Sequence, residues 1–189
     1  MARYGLPSDR AFGVTVAAMR AQAKRIGKDH ALAAALWKSG WYEARLLAPM
    51  VDDPGQVTRR QMNAWAGDFD NWAVCDHACF HLFDKTPHAF GRIEPWSRRR
   101  AEFVVRAAFG LLASLALHDK RSEDAVFLRF LPAIERCAAD ERNFVKKGVS
   151  WALRAVGRRS TALNREALAV SRRLNACPGG ASSTDGRNP

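Results

Sequence analysis

The chain has 189 residues, 48% hydrophobic and 26% charged. That supports a folded chain with one core and excludes a disordered one. Thirty Lys+Arg against nineteen Asp+Glu give a net charge of +11, a balance that points to a polyanion: DNA, RNA or an anionic membrane surface. No apolar run approaches the roughly 20 residues of a membrane span. MARYGLPSDRAFG lacks the apolar stretch of a secretory signal, so a cytoplasmic location is expected. Four cysteines (Cys75, Cys79, Cys137 and Cys177) do not suggest a disulfide scaffold, and reduced thiols fit better.

The pattern is helical almost throughout. Residues 13–26 carry apolar side chains at helical spacing. Asp29 caps an alanine-rich helix through Trp37 that stops near Gly40. The next helix covers Trp41–Val51 with Pro49 near its end. Thr58 opens a helix through Trp65, closed by Gly67. Asp70 is expected to cap the helix of DFDNWAVCDHACFHLF, which ends near Asp84. Pro95 at a helix start leads into a long helix reaching about His118. Further helices are expected over Glu123–Ala138, Asn143–Val156 and Thr161–Ala176. No segment shows a period-2 pattern between hairpin turns, so no sheet is expected.

Short links imply antiparallel helical hairpins. EARLLAP, VVRAAFGLLASLA and KKGVSWALRAVG share a basic residue amid small and apolar ones. A stacked HEAT-like array accounts for this, and a compact bundle remains the alternative. The final PGGASSTDGRNP holds no large apolar residue and is expected to be a disordered tail, 177–189, after a domain spanning 1–176.

Two cysteines, two histidines and three aspartates within residues 68–83 raise the question of a metal. On a helix Cys75 and Cys79 share one face, and His77 and His81 share another roughly 160–200° away. One helix cannot direct all four at one ion, and no second pair completes the set. No metal is expected. Val74, Cys75, Ala78, Cys79, Leu82 and Phe83 form the buried arc, with the thiols as small hydrophobes. Asp76, His77, Phe80 and His81 fall on the open arc, and Trp72 stands one turn before Asp76. Spacing alone leaves that pair an ordinary surface charge and a packing residue.

Five blocks in order change this picture: MARYGLPSDRAFGV, LAAALWKSGWYEARLLA, DFDNWAVCD, EFVVRAAFGLLASLALHDK and DERNFVKKGVSWALRAVGRRS. Together they resemble the AlkD-type DNA alkylation repair family, over about Arg3 to Leu174. The resemblance implies an all-α fold, a solenoid of HEAT-like repeats with a concave basic face. The family's motif looks like D-x-W-D-x-x-D. Here Asp70, Trp72 and Asp76 match it, and Ala73 replaces the middle aspartate. A site arginine of the family matches Arg106, and a second site tryptophan followed by A-L-R matches Trp151. Family members usually carry a further helical segment before the first block.

The implied activity is hydrolysis of the N-glycosidic bond of N3- or N7-alkylated purines in double-stranded DNA. Alkylation places a positive charge on the base, so no strong general acid is needed. Asp76 is the expected catalytic carboxylate, stabilising an oxocarbenium ion and orienting water. Trp72 and Trp151 would flank the cationic nucleotide. This chemistry needs no metal or redox cofactor, and the resemblance implies that the lesion is processed without a deep base-flipping pocket. No motif lysine suggests a lyase step.

On the helix around Trp151, Lys147, Arg154 and Arg158 recur with it at i, i+4, i+7 and i+11. That basic stripe suits a phosphate backbone, although a solvated charge face is the ordinary alternative. Arg106 and Arg99, seven apart, are expected to share a face, and Arg106 is expected to contact the DNA backbone as well. Lys146, Arg159 and Arg98 are peripheral phosphate contacts or solubility residues. Trp37, Trp41, Trp65 and Trp96 are expected in the core. Glu43 and Arg45 form a local ion pair or a contact between repeats. A monomer without an obligate protein partner is the default. A non-catalytic DNA-binding relative and a protein-binding scaffold are the alternatives to a glycosylase.

Overall fold

A computed structural model describes residues 10–176. The expected tail, Cys177 and most of the first block lie outside the described residues. Among the described residues there is no strand, and no helix is long and apolar enough to cross a membrane.

The first helices start where local capping chemistry places them. Thr15 accepts from the Ala18 amide and opens α1 (Val16–Ile26). Asp29 accepts from the Leu32 amide and opens α2 (His30–Lys38). α3 (Tyr42–Val51) follows. Thr58 caps α4 (Arg59–Gly67) through the Gln61 amide. Such caps satisfy N–H groups that the first turn leaves unpaired, and each is worth about 1 kcal/mol.

Three expectations need correcting. α5 (Trp72–His81) is capped by Asn71, whose side chain accepts from the Val74 amide; Asp70 lies one residue outside and instead accepts from the Asn71 side chain at 2.6 Å. After a 3-10 turn at Phe83–Lys85, Pro95 does not begin a long helix. It sits inside α6 (Phe90–Ser97), and α7 (Glu102–His118) starts separately. The proline's missing N–H removes one i→i−4 hydrogen bond from the short α6. The helix expected over Glu123–Ala138 divides into α8 (Asp124–Leu128) and α9 (Leu131–Cys137), with Pro132 in the first turn of α9, where its missing N–H costs nothing. α10 (Asn143–Gly157) and α11 (Thr161–Ala176) complete the chain.

Successive helices pack against each other in α2/α3, α6/α7, α9/α10 and α10/α11, and α4 rests on α7. α5, α7 and α10 run parallel in one row. Cys75 and Cys79 on α5 reach the Phe103 and Ala107 carbonyls on α7 with equal offset, and Gly148 and Trp151 of α10 meet Arg106 and Gly110 of α7. α7 is the central member, buried continuously from Val104 to Ala116.

Aromatic side chains fill the space behind the row. Trp37 and Trp65 stack at 4.0 Å, Phe83 contacts Trp65 and Trp96, and Phe90 stacks on Phe130. Full burial of a side chain such as Phe83 contributes about 1.5–3 kcal/mol. Trp37, Trp65 and Trp96 are therefore core residues, as expected. Trp41 is not: it stays 37% exposed and stacks on Phe12 at 4.3 Å.

Glu43 and Arg45 do not pair with each other. Glu43 is buried and accepts from three successive amides, Phe12 at 2.9 Å, Gly13 at 2.7 Å and Val14 at 3.3 Å. Gly13 supplies the φ of +80° that turns these N–H groups toward one carboxylate. Burial alone would raise the Glu43 pKa; the backbone donors outweigh it and hold the carboxyl below its ordinary value. Arg45 instead reaches the Asp68 carbonyl and the Asp70 carboxylate. Glu43 thus pins the segment leading into α1. Glu43→Ala leaves three amides unpaired and is expected to cost about 2–3 kcal/mol. Hydrogen exchange at residues 12–14 should accelerate more than tenfold, and unchanged protection there would contradict the assignment.

Candidate functional site

The row of parallel helices leaves a cleft of ≈ 400 Å³ between α1, α3, α5 and α10, lined among others by Arg20, Tyr42, Trp72, Asp76, His77 and Trp151. Trp72 and Asp76 come from successive turns of α5. Trp151 arrives from α10, two helices along the row. Gly110 on the intervening α7 lies beneath both: a Cβ there would stand 3.6 Å from Asp76 Oδ1 and 3.6 Å from the Trp151 ring, ordinary contact distances. The carboxylate and the indole thus neighbour each other above the α7 backbone.

Two further contacts set the register of α10 on α7. At Gly148 α10 lies against the Arg106 backbone, and a Cβ at that position would stand 3.5 Å from Arg106 Cγ. Glu102 accepts from the Phe144 amide at 3.0 Å, satisfying an N–H in the first turn of α10, where Arg142 offers no side-chain cap.

Arg106 turns inward. Its Nε donates to Asp76 Oδ1 at 2.8 Å and its Nη2 to Oδ2 at 2.6 Å, while Nη1 donates to the Phe144 carbonyl at 2.9 Å. Its side chain is 8% exposed, against 21% for Asp76. One guanidinium therefore joins α5, α7 and α10. This is not the exposed setting expected for a residue that grips the DNA backbone. Burial pushes the Asp76 carboxyl above its ordinary pKa, only partly offset by the hydrogen bonds and charge of Arg106. The same carboxylate keeps Arg106 protonated, its pKa raised despite burial.

Residues 1–178 match the family described as DNA alkylation repair enzymes. The chain belongs to that family. A solved structure of "a new family of proteins related to the HEAT-like repeat DNA glycosylases with affinity for branched DNA structures" superposes with a TM-score of 0.78. It is 18% identical, over 90% of this chain and 73% of the other. The fold is therefore a HEAT-like repeat, as the family resemblance implied, and not the compact bundle that the sequence pattern left open. No curated protein is matched in sequence.

In this member of the DNA alkylation repair family the motif cysteines and histidines part as the helical wheel requires. Cys75 and Cys79 are fully buried against α7, and burial pushes the Cys75 thiol well up. His77 and His81 line the cleft with rings 4.2 Å apart. Burial drives His77 down to about 3 and His81 to about 4, with Arg20 adding to both shifts. Both rings are therefore neutral at physiological pH, and His77 Nε2 is buried without a hydrogen-bond partner.

The structure brings Trp72, Asp76, Arg106 and Trp151 together. Lys147, Arg154 and Arg158 lie exposed along α10 beside Trp151. Lys147 is 5.9 Å from the Phe144 ring, and Arg154 donates to Ser150. Arg99 sits in the link between α6 and α7, so it shares no helical face with Arg106. Arg98 pairs with Glu94. Arg159 is tied to the Asp119 and Ser122 carbonyls and to Asp124, a structural bracket. Tyr42, Arg20 and Gly110 were not singled out from sequence. Tyr42 and Arg20 carry no local signal because their neighbours in the cleft are remote in the chain. Gly110, a glycine deep in a strongly helical apolar run, is the kind of break that marks a close approach.

Proposed function

We propose that the protein is a monofunctional DNA glycosylase acting on positively charged N3- and N7-alkylated purines in duplex DNA. The observation that carries this reading is the Asp76 carboxylate, set between Trp72 and Trp151 in an open cleft. In the proposed reaction the C1′–N bond breaks and its electron pair returns to the cationic base, which leaves neutral. Water adds to C1′ and its proton passes to Asp76. The indoles hold the cationic nucleotide by their π faces. Asp76, partly buried, acts where its charge is least screened by water. Arg106 is a positioning residue here: it fixes the carboxylate plane and leaves the outer lone pairs toward the cleft. Lys147, Arg154 and Arg158 would contact backbone phosphates.

A second reading has its own observation. Both Asp76 oxygens already accept from Arg106, which lowers their basicity, and Ala73 replaces an aspartate at the cleft wall. A non-catalytic protein that binds DNA fits that pairing, and the similar solved structure is described by its affinity for branched DNA.

One assay separates the two. Duplex DNA carrying 7-methylguanine is incubated with the protein and free base is measured. Base release that falls at least about 100-fold in Asp76→Asn, with DNA affinity retained, supports the glycosylase. Release should also decline on the acid side at a pH above the ordinary aspartate range, because the active form is the carboxylate and burial raises its pKa. Salt-sensitive binding by the wild type with no release supports the second reading.

A further inference from the structure

A second pocket, ≈ 470 Å³, opens between the C-terminal halves of α7 and α10. It shares Trp151 with the cleft, so one indole forms a wall of both cavities. Ala113 and Leu117 lie on its α7 side; Lys120, Arg154 and Arg158 bring positive charge. No acidic residue lines it. Leu117 is 52% exposed, an apolar side chain left open to solvent. Lys120 and Arg158 have no ion pair or hydrogen bond from their side chains among the described residues. Arg159 also lines it, with its guanidinium held by the Asp119 and Ser122 carbonyls.

The lining is amphipathic. An alanine, leucine and indole surface accepts the face of a base, while three cations accept a phosphate. The same cations repel an alkylated, positively charged base, so the pocket is not an exit for the excised product. Its volume lies in the range of small-molecule sites, about 300–1,000 Å³. We infer that this pocket holds one unpaired nucleotide of the bound DNA, adjacent to the nucleotide in the Asp76 cleft and separated from it by Trp151. The inference rests on the reading that the protein binds DNA, and not on whether it excises a base.

The test compares affinity by fluorescence anisotropy, at one salt concentration, for a matched duplex and for the same duplex with a single unpaired adenosine. Stacking of one base corresponds to a preference of about 10-fold or more for the bulged duplex. Leu117→Trp, which fills the pocket from an exposed position, and Lys120→Gln, which removes an exposed charge, should each bring that ratio toward one. Using the ratio removes the general loss of electrostatic attraction from Lys120→Gln. Equal affinity for the two duplexes in the wild type, or a ratio untouched by both variants, overturns the proposal. Displacement of bulged DNA by micromolar free deoxyadenosine monophosphate also overturns it, since the pocket would then serve a free nucleotide. Failure to bind either duplex overturns the DNA reading itself. Absent base release affects only the glycosylase proposal.

Discussion

Arg106→Met is expected to lower stability by about 3 kcal/mol, because it strands a partly buried carboxylate. For a chain of this size that corresponds to a fall in Tm of roughly 6–12 °C. The loss arises mainly from the charge left behind, since methionine fills much of the same volume. It follows that Arg106→Met combined with Asp76→Leu should recover most of the lost stability, as a buried pair replaced by apolar side chains is often neutral. Thermal denaturation of the two single variants and the double variant closes the cycle. Additive losses would show that the bidentate contact contributes little. The same substitution carries a signature that a merely structural role would not produce. Without its counter-charge the Asp76 carboxyl moves further up in pKa, so the acid limb of any base-release profile shifts to higher pH.

The second large effect is a loss of stability in mild acid. His77 and His81 are held neutral, at about 3 and about 4, against an ordinary value of 6.5. Below that ordinary value the unfolded chain binds protons that the native chain refuses. Their contribution is therefore complete above pH 6.5 and is lost as pH falls toward 4 and then 3. Arg20, Lys85, His118 and Lys28 all oppose protonation of this pair or of one member of it. After allowance for solvent reaching the rings, the loss by pH 4 amounts to about 1–3 kcal/mol. Carboxylates held below their ordinary pKa, such as Asp119 and Asp140, contribute a separate loss at lower pH. The comparison must thus be made against His77→Asn/His81→Asn, whose stability should change much less between pH 6.5 and 4. Parallel curves for wild type and double variant would refute the attribution.

The helices at Asp29 and Thr58 were legible because a cap acts on an amide three residues away. The break between α6 and α7 was not, because Pro95 reads equally as a helix start. Asp70 and Asn71 are both good caps, and only the backbone decides between them. Asp76, Trp72 and Trp151 were reached through resemblance to a family; helical spacing alone made Asp76 a surface charge. The hidden element was Arg106. Its partner lies 30 residues earlier, so a cation in the middle of an apolar helix was assigned to the outside. The nearness of Trp151 to Asp76 exists only once α5, α7 and α10 are stacked.

Arrays of hairpins that touch only their neighbours flex like a leaf spring. Arg106 crosses three leaves, holding a carboxylate on one side and a main-chain carbonyl on the other. Any displacement of α7 against α5 would lengthen the contact between Arg106 and Asp76, and with less of that opposing charge the carboxyl would hold its proton more tightly.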